Sequence, residues 1–178
     1  MAKRVIVAGL LGGFVVIVWT IVVNGIFGFK SSIDMKPIPD ERGVYETLKS
    51  TITEPGRYIL NPAVDSSGFY PANEPVFSVL YGGMGHEAAG MMALIQLPLA
   101  FVAPMIAAWM LSMTSTRTRS SRQRKVIFVT CIGLLLGASG MLDNFGIGGY
   151  PLESTLLLVG HDIVLWALVG LVLAWRIR

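Results

Sequence analysis

Four long apolar stretches punctuate the chain: Val5–Phe29, Ala88–Met113, Val126–Leu142 and Leu156–Trp175. A bilayer core about 30 Å thick needs roughly 20 apolar residues in α-helix, at about 1.5 Å per residue. The pattern therefore predicts an all-α integral membrane protein, a bundle of four transmembrane helices. The third stretch has seventeen residues; at about 25 Å it is expected to stand untilted or to draw Asp143 and Asn144 to the interface. The first opens with Met-Ala-Lys-Arg. Its apolar run is too long for a leader and no small-x-small cleavage site follows it, so residues 1–29 are expected to be a retained N-terminal anchor.

Between the first two spans, residues 30–85 change character and carry six of the nine prolines. This is the expected extracytoplasmic segment, irregular and partly helical. Asp40 is placed to cap a short helix, Glu41 to Ser50, with Val44, Tyr45 and Leu48 on one face. Glu54-Pro55-Gly56 reads as a turn, and Arg57–Leu60 and Val76–Tyr81 as extended stretches. Fewer than sixty residues without disulfides make a marginal core, so this segment is expected to lean on the membrane surface or on another protein. Residues 86–178 form the remaining three-helix region, interrupted by a polar basic loop at 114–125.

Composition fits the membrane class: 53% hydrophobic, 14% charged and a mean hydropathy of +0.65. The net charge of +3 conceals a separation of sign. Lys3, Arg4, Arg117, Arg119, Arg122, Arg124, Lys125, Arg176 and Arg178 fall on one side of a four-span arrangement, and the acidic residues on the other. By the positive-inside rule both termini are cytoplasmic and residues 30–85 periplasm-like. Within the loop, Arg117, Arg119, Arg122, Arg124 and Lys125 are expected to set topology and touch anionic lipid. Nucleic acid is not an expected partner; the bilayer and other membrane-protein subunits are. The single cysteine, Cys131, excludes an intramolecular disulfide, a CxxC pair and a thiolate zinc cage.

Polar groups inside apolar spans are costly and mark candidate sites. His86-Glu87 opens the second span, Asp143-Asn144 closes the third, and His161-Asp162 lies about five residues into the fourth. All three clusters approach the same, external end. Two imidazoles and up to three carboxylates suit a divalent metal held by His86, Glu87, Asp143, His161 and Asp162, while His86 and His161 alone suit haem, a chlorin or a quinone. Against this, adjacent helical residues diverge by about 100°, so His161 and Asp162 are not expected to face one point. The structural alternative is that these side chains hydrogen-bond between helices, with Asn24, His86, Glu87 and Asp143 as intramolecular candidates for the His161-Asp162 pair. Gly9 and Gly13, and Gly133 and Gly137, form small-xxx-small spacings that permit close helix packing, within the chain or with another subunit. No Walker loop, GxSxG elbow, dinucleotide fingerprint or HExxH is present, so no catalytic residues are expected.

The Lys-Arg anchor with Gly-Leu-Leu-Gly-Gly, the segments Pro37-Ile-Pro-Asp-Glu41 and Glu54-Pro-Gly-Arg-Tyr58, and three further spans together give a chain that resembles a family of small, uncharacterised bacterial inner-membrane proteins. The resemblance implies a bacterial inner-membrane location and a periplasmic segment after the first span, and carries over no catalytic or ligand residue. The expected function is a non-catalytic accessory or scaffold subunit of a larger membrane complex, respiratory, photosynthetic or transport. A protein binding a metal or cofactor through His86 and His161 is the alternative, and a small transporter ranks third.

Overall fold

The structure, a computed structural model, describes the backbone of residues 2–61, 74–83, 91–146 and 150–177, and their side chains except those of 91–96 and 141–146. The protein is mostly helical, about 75%. Its elements are α1 (Ala2–Trp19), continued by a π-helical stretch (Thr20–Ile26), α2 (Phe29–Asp34), α3 (Glu41–Thr51), β1 (Gly56–Leu60), β2 (Phe77–Tyr81), α4 (Met91–Ser112), α5 (Thr116–Arg119), α6 (Arg122–Gly146) and α7 (Leu152–Arg176). Among the described residues, two helical stretches are long and apolar enough to cross a membrane, Ala2–Ile26 and Leu152–Arg176, each of 25 residues.

The long helices pack in a definite order. α6 lies along α7, α1 lies along α4 and α7, and α4 meets α6 only slightly. Small residues make the closest of these approaches. Gly9 and Gly13 abut Met105 and Phe101 of α4, and Gly133 and Gly137 abut Trp166 and Val159 of α7. Both glycine motifs are thus used within the chain. A cluster of buried side chains follows: Ala8 from α1, Ala107, Ala108 and Leu111 from α4, Val129 from α6, and Trp166, Val169, Leu173 and Ile177 from α7 and its end. This cluster gathers toward the end of the bundle that carries the basic residues. Elsewhere the surface is apolar, with Phe14, Trp109, Leu135 and Trp175 all more than half exposed, the pattern of helices that present hydrocarbon outward.

Several boundaries differ from the sequence expectation for identifiable reasons. The third apolar stretch belongs to a helix of 25 residues, not seventeen, because α6 recruits Arg122–Lys125 at its start and runs through Asp143 and Asn144 to Gly146. The additions are mainly polar, so its apolar part remains the seventeen residues Val126–Leu142, now continuous in one helix with Asp143 and Asn144. The segment expected as a featureless basic loop is partly helical too: Ser115 accepts the Thr118 amide at 3.3 Å and starts α5, and Ser121 Oγ accepts the Arg124 amide at the start of α6. The first apolar run stops short of Phe29, because Gly28 takes the left-handed conformation (φ 61°, ψ 28°) and breaks the helix there.

Beyond α2 the chain leaves the bundle. Asp40 caps α3, its carboxylate accepting the Gly43 amide at 3.1 Å. β1 and β2 pair antiparallel, Tyr58 opposite Val79 and Leu60 opposite Phe77. Alternation puts Tyr58, Leu60, Phe77, Val79 and Tyr81 on one face of this hairpin. Among the described residues, neither α3 nor the hairpin makes more than marginal contact with the long helices.

Candidate functional site

α7 turns a stripe of residues inward, Thr155, Leu158, His161, Trp166, Val169, Gly170 and Leu173, and His161 lies on that stripe because its spacing from Leu158 and Thr155 is helical. The imidazole is only 6% exposed. Its Nε2 accepts the indole N–H of Trp19, the last residue of α1, at 2.6 Å. Its Nδ1 lies 3.0 Å from Oδ1 of Asp162. Phe29, the first residue of α2, stacks on the ring at 5.3 Å between centroids and 13° between planes, and Trp19 meets it at 5.3 Å and 56°.

These partners define the protonation pattern. A neutral imidazole has one donor and one acceptor nitrogen; the indole can only donate, so Nε2 is the acceptor, and Nδ1 carries the proton toward the Asp162 carboxylate. Both ring nitrogens are engaged. In this arrangement His161 has no lone pair to offer a metal, and a ligand at Nε2 would have to displace the indole. The expected divergence of neighbouring helical residues is overcome by side-chain reach: the Asp162 carboxylate folds back onto the ring edge, while His161 alone faces α1. Among the described residues the neighbours of His161 are Trp19, Phe29 and Asp162; of the polar partners expected for it, His86, Glu87 and the side chain of Asp143 lie outside the described residues.

The other expected members fall differently. His86 and Glu87 lie outside the described residues, and so does the side chain of Asp143, whose backbone sits in the last turn of α6. Among the described residues no three His, Cys, Asp or Glu side chains converge. Asn24, in the π-helical stretch, has its Oδ1 buried without a hydrogen-bond partner among them. Trp19 and Phe29 were missed by sequence reasoning. A lone indole N–H inside an apolar span was the available signal, since a buried Trp usually seeks an acceptor.

A second polar link lies at the same end. The Tyr150 hydroxyl, just before α7, donates to Asp34 at the end of α2. Burial first, and then Asp34, which accepts the proton and repels a phenolate, push Tyr150 up from 10.0 to about 12.

At the opposite end the five basic residues of the loop separate. Arg117, Arg122 and Arg124 are exposed, and Arg124 Nη1 donates to the Arg117 carbonyl at 3.3 Å. Arg119 is half-buried. Lys125, expected at a lipid surface, is instead 6% exposed, and its ammonium donates to the Ile177 carbonyl at 2.7 Å. The reason is its place on α6: Lys125 lies one turn before Val129, on the face that packs against α7. Compared with known protein families, with curated proteins and with solved structures, the chain matches none.

Proposed function

We propose that the chain is a non-catalytic accessory or scaffold subunit of a larger bacterial membrane complex, a four-span protein with both termini in the cytoplasm and residues 30–85 in the periplasm. The observation that carries this reading is the uncovered apolar surface of the segment outside the bundle. On α3, Val44 is 39% and Tyr45 57% exposed, and on one face of the hairpin Phe77 is 59% and Leu60 40% exposed. A two-stranded hairpin is marginal alone in water, and an amphipathic helix gains its stability by burying one face. A subunit seated against these faces would supply what the long helices do not. The self-contained bonding of His161 supports the same reading, since its Nε2 serves to join α7 to α1 and its Nδ1 is taken by Asp162 of the same helix.

Mild-detergent purification followed by identification of co-purifying proteins is the direct test. Stable association that is weakened by Tyr45→Lys or Phe77→Lys is the expected result. A monodisperse protein without partners, unaffected by those substitutions, would overturn the proposal.

A further inference from the structure

The outer end of α1 is wound differently from the long helices around it. From Thr20 to Ile26 the chain is π-helical, and the Phe27 amide closes the stretch by reaching back five residues to the Val22 carbonyl at 3.0 Å. Each such bond spans one residue more than an α-helical bond, so the stretch holds one residue more than α winding would place between the same two ends. A winding this rare needs something to hold it. The stretch does not hold itself: Asn24 Oδ1 is shut off from solvent without a hydrogen-bond partner among the described residues, which is a cost and not a support. What holds it lies at its two ends, on α7 and just before it. Ahead of the stretch, Trp19 donates to His161. After it, Phe29 stacks on the same imidazole, and Asp34 accepts from Tyr150.

We propose that Thr20–Ile26 is a conformational joint: it stays π-helical while both of its ends are held at α7, and it rewinds to α when they are released, turning α2 about the axis of α1. The rotation is that of one residue, about 100°, because the surplus residue is then taken up as winding. On a helix surface of radius about 5–6 Å, such a turn displaces an α2 side chain by about 8 Å. Bonds are traded and not lost, since each amide finds its acceptor four residues back instead of five. The stretch therefore passes between two discrete windings without melting. α2 leads directly into the segment outside the bundle, so the joint links the position of that segment to the contacts on His161. The proposal stands on the winding and its end contacts, independently of the scaffold reading.

The test locates α2 in the full-length protein in nanodiscs, by pulsed electron paramagnetic resonance between spin labels on Ser32→Cys and Leu156→Cys in a Cys131→Ser background; both labelled positions are exposed. Trp19→Phe combined with Tyr150→Phe releases the two ends, and is expected to create a second, discrete distance population displaced by up to about 8 Å. Deletion of Val23 removes the surplus residue, so that α winding and the end contacts become compatible. The shortened chain is expected to keep the parent distance, and to keep it when Trp19→Phe and Tyr150→Phe are added. An unchanged or merely broadened distribution in the double variant would overturn the proposal, as would a shift of the same size with Val23 deleted. Should the deletion fail to fold, the double variant decides alone, a discrete second population supporting the joint and its absence refuting it.

Discussion

His161 is a polar side chain whose cost inside an apolar bundle is met by two specific neighbours, and the indole of Trp19 is the one that links helices. Trp19→Phe would leave Nε2 without a donor and open a small void beside the ring. Interhelical hydrogen bonds in membrane proteins average about 0.6 kcal/mol and reach about 1.7; with the lost packing, a cost of about 1–2 kcal/mol is expected. Thermal unfolding in detergent checks it, and His161→Leu made on top of Trp19→Phe should cost less than the two changes added separately. Tyr150 supplies the pH dependence. The phenol is neutral when protonated, so a pKa raised from 10.0 to about 12 means that folding favours the protonated form. Its contribution is complete below about pH 10 and is lost as the pH rises toward 12. Asp34→Asn removes the repelling charge and should bring the phenolate absorbance step of this tyrosine back toward the ordinary value, while leaving the other four unchanged.

Among elements, the glycine contacts decide how close the helices come. A Cβ at Gly133 would strike the Cβ and ring of Trp166, whereas one at Gly140 would meet nothing within 4 Å. Gly133→Ala is therefore expected to destabilise by about 1–3 kcal/mol, and Gly140→Ala to be neutral or slightly stabilising through helix propensity; thermal midpoints of the two variants make the comparison. Much at this scale was legible in the sequence. The long apolar runs, the Asp40 cap and the two extended stretches that follow the Glu54-Pro55-Gly56 turn all reappear near their expected places. The π-helical stretch was not legible, because hydropathy carries no record of whether an amide bonds four or five residues back. Nor was the helicity of the basic segment, where Thr, Arg and Ser lack apolar periodicity; Ser115 and Ser121, both suited to capping, were its only trace. The partnership of Trp19 with His161 spans 142 positions, and no local pattern encodes it.

For the whole molecule, the topology of the proposal has a simple check. With cysteines placed singly at positions 60 and 120 in a variant lacking Cys131, a membrane-impermeant thiol reagent added outside intact cells should label position 60 and spare position 120. The converse labelling would invert the orientation. The way the long helices pair has a further consequence, for how the protein is made. α1 and α4 form one unit and α6 and α7 another, and α4 barely meets α6, so α7 is the strut through which the halves are joined. A ribosome delivers the helices in order, so in the proposed membrane arrangement the indole of Trp19 is made well before the last helix arrives with its acceptor. Until then the early pair, α1 with α4, lacks the acceptor for that indole. The same division means that a chain severed between Thr114 and Ser121 yields two helix pairs whose mutual surface is intact, and these are expected to find each other again when produced together.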